Sequence, residues 1–400
     1  MNAAIPLGAE AIVGVLGSGA MGSGIAQVAA LRGHSVVLAD AAPDAVKRAR
    51  EAHVRALARE VEKARLTRDA ADAALGRIIY VAGMGNAEIA RFAPCALVVE
   101  AIVEDLAAKQ ALFQAVGDVV HEDAVLATNT SSLLVAAVGA KCARRERVLG
   151  IHFFNPVPVM PLVEVIPALT TDPSVTDSAC ALVESWNKIP VRASDTPGFI
   201  VNRIARPFYG ESLRLLEEGI ADCATIDWAM RELGGFKMGP FELMDFIGND
   251  VNYAVTCSVF EAMYYDSRYL PALTQRRLVE AGLLGRKTKQ GYYDYRDGAA
   301  APQATRDESL GQHVLDRVLA MLVNAAVDAL YLRVASAPDI ELAMTKGVNY
   351  PKGLLAWGDE IGTTVLHARL AALQAAYGED RYRPSPLLTR LAKTGARILD

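Results

Sequence analysis

Short apolar runs and longer amphipathic stretches alternate along the first 190 residues. Amphipathic stretches such as 43–65 and 106–120 are typical of surface helices. The apolar runs between them are rich in β-branched residues and predict strands, which we place at 12–16, 36–38, 78–81, 96–100, 125–128, 148–154 and 163–166. Strands and helices that alternate in this way predict a mostly parallel sheet covered by helices on both faces. This is the doubly wound α/β class.

The pattern changes after residues 189–193, and from Thr196-Pro197-Gly198 onward it is almost entirely helical. The first predicted helix covers 199–218 and ends at Gly219, a residue type that commonly terminates helices. A loop rich in Gly, Ala and Gln at 298–305 then separates a last helical segment. The expected domains are an α/β domain at 1–194, an all-α domain at 195–298 and another all-α domain at 306–400.

The last segment repeats the preceding one. Residues 202–251, shifted by 114 positions, align without a gap and match identical residues that include Arg203 with Arg317, Ala229-Met230 with Ala343-Met344 and Ile247-Gly248 with Ile361-Gly362. This register predicts a duplicated helical domain. Asp316 stands in the second copy where the first has Asn202, and the sequence has no second glycine-rich motif. We therefore expect the second copy to be structural and the chain to carry one active site.

Composition and charge exclude several classes of protein. Apolar residues make up 52% and charged residues 22% of the chain, a balance typical of soluble globular proteins. The net charge of −5 gives no reason to expect binding to nucleic acid. The apolar run at 11–31 is long enough for a membrane span, but repeated glycines interrupt it, so we expect no membrane segment.

The five cysteines are odd in number and widely spaced, with neither metal-ligand nor CxxC spacing. This usage predicts buried thiols in a reducing cytoplasm and no metal site. The amino terminus has neither a basic region nor a small-residue cleavage site, so we expect no signal peptide.

A glycine-rich hexamer follows the first predicted strand and opens the first helix. Gly17-Ser18-Gly19-Ala20-Met21-Gly22 fits the pattern GxGxxG, in which the first glycine permits a tight turn, the second admits a pyrophosphate and the third lets helix and strand pack closely. Asp40 ends the second strand, where a carboxylate accepts hydrogen bonds from the adenosine ribose and repels a 2′-phosphate. The sequence thus predicts a Rossmann-type domain that binds NAD rather than NADP.

Polar side chains follow further strands, at the edge of the sheet where doubly wound folds bind ligands. Residues 129–132 (Asn-Thr-Ser-Ser) follow one strand, and His152 lies at the end of another. Glu164 lies between valines on an apolar strand, where a carboxylate is costly unless it is paired. A bond from Glu164 to one imidazole nitrogen of His152 would leave the other nitrogen to act as a base. A purely structural pair fits the same pattern, and the residues alone leave both interpretations open.

Taken together, these motifs resemble the 3-hydroxyacyl-CoA dehydrogenase family. The matching stretches lie in order and read GVLGSGAMGSGIAQ (14–27), VVEAIVEDL (98–106), TNTSS (128–132), GIHFFNPVPVMPLVEVI (150–166), DTPGFIVNRI (195–204) and GPFELMDFIG (239–248). The resemblance implies NAD-dependent, reversible oxidation of an (S)-3-hydroxyacyl-CoA to the 3-oxoacyl-CoA, in fatty-acid β-oxidation or in aromatic catabolism such as that of phenylacetate. The stretch at 247–260 and the duplicated tail look closest to the bacterial 3-hydroxybutyryl-CoA and 3-hydroxyadipyl-CoA branches of the family.

The resemblance also implies a role for each site residue. His152 looks like the base that takes the 3-hydroxyl proton while hydride passes to the nicotinamide, and Glu164 looks like its orienting partner. Ser131 and Asn202 look like the groups that hold the oxygen atoms of the substrate. The expected cofactor contacts are Gly17, Gly19, Ala20, Met21, Gly22, Asp40, Glu104, Lys109 and Asn129.

Several questions of substrate and assembly stay open. A dicarboxylic acyl group would need a cation for its far carboxylate, and Arg203, Arg206 and Arg214 lie on the helix of Asn202, where each fits a solvated surface equally well. In the family the helical domain dimerises, so the repeat predicts an intramolecular pseudo-dimer, and a homodimer of chains stays open. A dehydrogenase of a free hydroxy acid or sugar acid (the L-gulonate type) and a non-catalytic NAD-binding structural protein are the alternative functions.

Overall fold

The computed structural model describes residues 7–8 and 10–400. The chain divides into two compact units between residues 196 and 197. We call the residues up to 196 the α/β unit and residues 197–400 the helical unit. Within the described part of the chain, no helix is long and apolar enough to cross a membrane.

The α/β unit is built on one sheet. Its strands are β1 (Val13–Leu16), β2 (Val36–Asp40), β3 (Ile78–Ala82), β4 (Leu97–Glu100), β5 (Val125–Thr128), β6 (Val148–Phe153), β7 (Leu162–Pro167) and β8 (Ile189–Arg192). Their order across the sheet is β3-β2-β1-β4-β5-β6-β7-β8. Neighbouring strands are parallel except β6 and β7, which are antiparallel. The predicted doubly wound, mostly parallel sheet is confirmed.

The helices of this unit pack on the sheet and bury its central strands. They are α1 (Ala20–Leu31), α2 (Pro43–Glu62), α3 (Arg68–Gly76), α4 (Asn86–Ile89), α5 (Leu106–Gly117), α6 (Val135–Val138) and α7 (Pro173–Ser185). Every residue of β1, β4, β5 and β6 is buried, as expected for parallel strands covered on both faces. The two amphipathic helices predicted from the sequence are confirmed as α2 and α5, and both end a few residues earlier than predicted.

Two local predictions differ from the structure, and prolines explain both. The last strand, β8, was not predicted, because Pro190 interrupts a short apolar run; the structure places it at the edge of the sheet, paired with β7 alone. The predicted helix 199–218 consists of two helices, interrupted at Ala205. Pro207 follows two residues later and has no N–H to continue the helical hydrogen bonds.

The helical unit contains two segments with matching elements. In the first helical segment (residues 197–297) these are α8 (Val201–Ile204), α9 (Arg206–Glu217), α10 (Cys223–Trp228), α11 (Pro240–Ile247), α12 (Asn249–Ala262) and α13 (Leu273–Glu280). In the second helical segment (residues 306–400) they are α14 (Glu308–Tyr331), α15 (Ala337–Leu342), α16 (Leu354–Ile361), α17 (Thr363–Tyr377) and α18 (Pro386–Ala392). Helices α10, α11 and α12 begin 114 positions before α15, α16 and α17. This recurrence supports the predicted duplication.

Equivalent carboxylates cap equivalent helices in the two segments. Asp227 accepts hydrogen bonds from the backbone N–H groups of Phe241 and Glu242 at the start of α11, at 2.9 and 2.8 Å. Glu341, 114 positions later, accepts from Leu355 and Ala356 at the start of α16, at 2.8 and 3.2 Å. In both segments the carboxylate satisfies N–H groups that have no partner inside the helix.

A buried ionic network joins the two helical segments. Arg317 of α14 donates from Nε to Glu211 of α9 at 2.5 Å and from both terminal nitrogens to Glu218, at 2.7 and 2.9 Å. The hydroxyls of Tyr377 and Tyr382 lie 2.9 Å from the same guanidinium. Because every donor direction of Arg317 meets an oxygen, its charge is fully compensated although the side chain is 2% exposed.

Candidate active site

The turn between β1 and α1 excludes side chains at two of its motif glycines. Gly17 has a φ of +97°, and a Cβ at Gly22 would collide with the carbonyl oxygen of Gly17. Gly19 differs, because a Cβ built there meets no atom within 4 Å. Protein packing therefore does not require glycine at position 19. The open space beside it fits a pyrophosphate that lies against Ala20 and Met21, the first residues of α1.

Asp40 lies beside this turn at the end of β2. Its Oδ2 accepts from the backbone N–H and the hydroxyl of Ser18, at 2.7 and 3.0 Å, and its Oδ1 accepts from the N–H of Ala42 at 2.9 Å. These bonds fix the carboxylate next to the glycine-rich turn. A carboxylate held in this place has lone pairs left for ribose hydroxyls and repels a 2′-phosphate.

A cavity of about 580 Å³ opens between the ends of β1 and β4, where the strand order reverses. Gly17, Gly19 and Asp40 line its polar side, and Ile89 and Leu112 are among the apolar side chains that line the rest. An apolar slot beside a phosphate-binding turn and a ribose-binding carboxylate fits the adenosine half of NAD. The residues present therefore fit the cofactor predicted from the sequence.

His152 and Glu164 are direct partners across the antiparallel pair β6 and β7. Their Cα atoms are register partners in the sheet, and Nδ1 of His152 lies 2.6 Å from Oε2 of Glu164. Glu164 is fully buried and His152 is 6% exposed, with the ring of Phe154 packed against the imidazole at 4.6 Å. Because a carboxylate accepts hydrogen bonds, Nδ1 donates in this contact, and in a neutral imidazole Nε2 then carries the lone pair.

Glu104 organises the loop that follows β5. Its Oε1 accepts from the hydroxyls of Thr130 and Ser132 and from the backbone N–H groups of Ser131 and Ser132, the last two at 3.2 Å. Lys109 lies 3.1 Å from its Oε2. Burial alone would raise the pKa of Glu104, but Lys109 and the two hydroxyls outweigh burial and lower it. The carboxylate is therefore ionised at neutral pH and holds Ser131 in place.

A second buried carboxylate, Glu100, was not predicted from the sequence. It ends β4, is fully buried, and accepts from Lys109 Nζ at 2.6 Å, from Thr128 Oγ1 at 2.7 Å and from the N–H of Ile102 at 2.7 Å. Lys109 is thus held between Glu100 and Glu104. The signal in the sequence is a glutamate at the end of an apolar strand, whereas Glu164 was singled out by its place between two valines.

Lys188 is another residue that the sequence did not reveal. Its Nζ donates to the carbonyl oxygens of Val157 and Met160, at 2.6 and 2.7 Å, in the connection between the strands of His152 and Glu164. Burial lowers the pKa of Lys188 to about 8, with a contribution from the charge of Arg32. Charge-assisted bonds to two carbonyls in one loop fix its path.

The structure brings most of the predicted site residues together in the α/β unit. Asn129 follows β5 and accepts from the N–H of Phe153 at 2.8 Å, which ties the loop of Ser131 to the strand of His152. Ser131, Glu104 and Lys109 belong to the hydrogen-bonded group around Glu104. Asn202, the remaining predicted residue, lies partly buried in α8 of the helical unit. Within the described residues, no cluster of potential metal ligands is found.

Comparisons with known proteins agree with this geometry. The model of the NAD-binding domain of 3-hydroxyacyl-CoA dehydrogenase matches residues 12–196, and the model of the C-terminal domain of the same enzyme family matches 198–295 and 313–397. The two ranges that the C-terminal domain model matches fall on the two helical segments.

Two relatives and one solved structure show how far the similarity extends. The chain is 39% identical to 3-hydroxyadipyl-CoA dehydrogenase of Escherichia coli, over 95% of this chain and 97% of the relative. It is 40% identical to 3-hydroxybutyryl-CoA dehydrogenase of Bradyrhizobium diazoefficiens, over 72% of this chain and 97% of the relative. The crystal structure of 3-hydroxybutyryl-CoA dehydrogenase from Escherichia coli superposes with a TM-score of 0.89 at 37% identity, covering 96% of this chain and 99% of that one.

Proposed function

We propose, since the chain belongs to the 3-hydroxyacyl-CoA dehydrogenase family, that it oxidises an (S)-3-hydroxyacyl-CoA to the 3-oxoacyl-CoA with NAD and catalyses the reverse reaction. The observation that carries the proposal is the buried pair of His152 and Glu164, 2.6 Å apart in the same unit as a glycine-rich turn that fits a dinucleotide. The two relatives are named for different acyl groups, adipyl and butyryl, so kinship alone leaves the acyl group open.

His152 acts as the base in this mechanism. With Nδ1–H bonded to Glu164, Nε2 removes the proton from the 3-hydroxyl, and the oxygen electron pair forms the carbonyl as C3 releases hydride. NAD⁺, when bound, supplies the acceptor for that hydride. Glu164 keeps the imidazole in the tautomer that the reaction needs and stabilises the imidazolium that forms. In the reverse direction the imidazolium returns the proton to the carbonyl oxygen.

We assign supporting roles to the remaining site residues. Ser131, positioned by Glu104, and Asn202 of α8 hold the oxygen atoms of the substrate. Gly17, Gly19, Ala20, Met21 and Gly22 form the pyrophosphate turn, Asp40 binds the adenosine ribose, and Glu104, Lys109 and Asn129 line the nicotinamide side.

The assembly and the location follow as further parts of the proposal. The two helical segments form a pseudo-dimer within one chain, in which the second segment supports the first and carries no site of its own. The enzyme acts in the cytoplasm, without nucleic acid or membrane as a partner, and a homodimer of chains is compatible with it. Its pathway is fatty-acid β-oxidation or a related route of aromatic catabolism such as that of phenylacetate.

Replacing the base tests the mechanism. Purified protein mixed with NADH and acetoacetyl-CoA should oxidise NADH, followed by its near-ultraviolet absorbance. His152→Ala should lower kcat by roughly 10²–10⁴-fold, the usual contribution of a positioned general base. Free acetoacetate and NADPH serve as controls and should support little turnover.

Other outcomes identify the alternatives. Turnover with the free acid in place of the thioester would point to the free-acid or sugar-acid branch. Tight binding of NADH without turnover of any thioester would indicate a non-catalytic protein. Full activity in His152→Ala would show that another group is the base.

A further inference from the structure

Glu100, Lys109 and Glu104 form a row of charged side chains in the α/β unit, which we call the charge triplet. Nζ of Lys109 lies 2.6 Å from Oε1 of Glu100 and 3.1 Å from Oε2 of Glu104. In the described part of the chain, Lys109 is the one cation within ion-pair distance of either carboxylate. Two carboxylates and one ammonium group leave the triplet with a net charge of −1.

The contacts of Glu100 are those of an ionised carboxylate. Its Oε1 also accepts from the N–H of Ile102, and its Oε2 accepts from the hydroxyl of Thr128, both at 2.7 Å. The hydroxyl oxygen of Thr128 accepts in turn from the N–H of Thr130 at 3.2 Å, so its hydrogen is left for Glu100. A protonated Glu100 would add a hydrogen to a group in which every partner is already a donor. Glu100 therefore carries a negative charge.

Burial differs between the two ends of the charge triplet. The side chains of Glu100 and Lys109 are 0% and 1% exposed, whereas that of Glu104 is 38% exposed. Glu104 is thus the end of the triplet that is open to a ligand. Water screens buried charges much less than surface charges, so the charge of Glu100 acts beyond its direct contacts.

The second carboxylate of the triplet exceeds what Lys109 needs. One carboxylate already neutralises a buried ammonium group, and hydroxyls or carbonyls can accept its remaining hydrogen bonds. Adding a further buried carboxylate leaves an excess of negative charge, which is costly unless another cation compensates it. The described residues provide no second cation in contact with Glu100 or Glu104. A ligand with a positive charge would fill this role.

The order of the strands indicates which part of the cofactor lies nearest the charge triplet. Asp40 ends β2, the glycine-rich turn follows β1, and β4, which ends at Glu100, is the neighbour of β1 on the other side. With the adenosine ribose at Asp40 and the pyrophosphate at Gly17, the rest of NAD continues across the carboxyl ends of β4 and β5. This direction leads towards His152 on β6. The nicotinamide half therefore passes over the end of the strand that carries Glu100.

We propose that the charge triplet sets the balance between the two redox forms of the bound cofactor, with Glu100 as the positioning residue that supplies the excess negative charge. This inference rests on the proposed function and adds a control of its cofactor. The nicotinamide ring is positively charged in NAD⁺ and neutral in NADH, while the rest of the two molecules is the same. A net charge of −1 near the ring stabilises bound NAD⁺ relative to bound NADH. Glu100 acts through Lys109 and Glu104 and does not touch the cofactor.

The test measures binding and needs no turnover. Kd is measured for NADH from its fluorescence and for NAD⁺ by competition with NADH. Glu100→Gln brings the triplet to a net charge of zero, and the ratio of Kd for NAD⁺ to Kd for NADH should rise by roughly 10–30-fold, the effect of one unit charge in a partly buried site. For a two-electron couple, each tenfold rise in this ratio raises the potential of the bound cofactor by about 30 mV.

Asp105→Asn is the matched control. Asp105 is next to Glu104 in the chain, but it lies exposed at the N-cap of α5, and asparagine is an equally good capping residue. Because water screens the charge of Asp105, its removal should leave the ratio of the two Kd values unchanged within a few-fold. ADP-ribose, which lacks the nicotinamide ring, is the control ligand. It should bind to the wild type and to Glu100→Gln with similar Kd.

A double variant separates the charge from the structure. Glu100→Gln combined with Lys109→Met removes one charge of each sign and returns the net charge to −1, although two buried partners have changed. The ratio of the two Kd values should return to within a few-fold of the wild-type ratio, even where both Kd values rise. If Glu100→Gln does not fold, Glu104→Gln gives the same net charge from the exposed end of the triplet and should raise the ratio in the same direction.

Three results would overturn the proposal. The first is a parallel rise in Kd for NAD⁺, NADH and ADP-ribose in Glu100→Gln, which would show a purely structural role. The second is an unchanged ratio in Glu100→Gln or, where that variant does not fold, in Glu104→Gln. The third is a double variant whose ratio stays at the value of Glu100→Gln. A wild-type protein that binds neither NAD⁺ nor NADH would instead contradict the proposed function.

Discussion

The two helical segments share the same arrangement of helices and differ in a residue proposed to contact the substrate. Asp227 and Glu341 cap equivalent helices, and the elements that follow begin at the same spacing. At the position proposed to meet the substrate, however, Asn202 becomes Asp316. The comparison teaches that the backbone N–H groups at the start of a helix need hydrogen-bond acceptors in both segments. Polar side chains that serve a ligand, in contrast, are dispensable in a segment that binds none.

The same comparison separates a fully paired buried arginine from one whose carboxylate partner is distant and shared. Arg317 of the second segment is surrounded by Glu211, Glu218 and two tyrosine hydroxyls. Its equivalent in the first segment, Arg203, has its nearest carboxylate at 4.0 Å, on an aspartate that already binds Arg268 at 2.8 Å. The contribution of an arginine to stability depends on these partners rather than on its position in the repeat.

The largest expected effect follows from breaking the Arg317 network. Arg317→Met should lower the free energy of unfolding by about 3–5 kcal/mol, because it leaves Glu211 buried without a cation. Urea unfolding measures the change. Arg203→Met is the matched variant and should cost less than half as much. Equal costs for the two variants would show that the repeat position, and not the pairing, sets the energy.

Asn202 and Asp316 are equivalent positions in the two segments, and we expect their exchange to change the activity only at Asn202. Asn202→Asp should reduce kcat/KM by roughly 10²–10³-fold, about 3–4 kcal/mol, because a carboxylate replaces a group that holds substrate oxygen. Asp316→Asn should leave kcat/KM unchanged, although it weakens the bond to Arg369 at 2.8 Å. Loss of activity in Asp316→Asn would mean that the second segment contributes to the site.

The smallest expected effect concerns pH. Burial raises the pKa of Asp227 to about 6, although Tyr293 and two backbone N–H groups lower it in part. The folded state then binds more protons than the unfolded state between pH about 4 and about 6, so the free energy of unfolding falls as pH rises through this window, by at most about 3 kcal/mol. Unfolding curves at several pH values measure the slope.

Asp227→Asn should flatten that slope, and Glu341→Gln should change it less, because Glu341 is more exposed although burial also raises its pKa. An unchanged slope in Asp227→Asn would assign the titration to another group. The pair of variants thus compares the two caps under one set of conditions.

Much of the α/β unit was predictable, because buried parallel strands are continuous apolar runs that end in recognisable polar residues. The contact of His152 with Glu164 was anticipated from a glutamate placed between valines, and the structure confirms it. The glycine-rich turn was predictable because backbone geometry restricts residue type there, as the φ of Gly17 shows.

Other features depend on contacts between residues far apart in the sequence. Glu104 binds Thr130 and Ser132, and Lys188 binds the carbonyls of Val157 and Met160. No local pattern encodes such pairs, since each side chain taken alone fits a solvated surface. The pairing of Arg214 with Glu379 was equally hidden, because it depends on which carboxylates the fold brings near.

The placement of both helical segments in one chain has a consequence for how the protein responds to dilution. When two helical domains on separate chains must associate, their pairing weakens as the protein concentration falls. Here the partner is tethered through the loop at 298–305, so its effective concentration is set by the loop and not by the amount of protein. The network around Arg317 should therefore persist in a cell that makes only a few molecules of this enzyme.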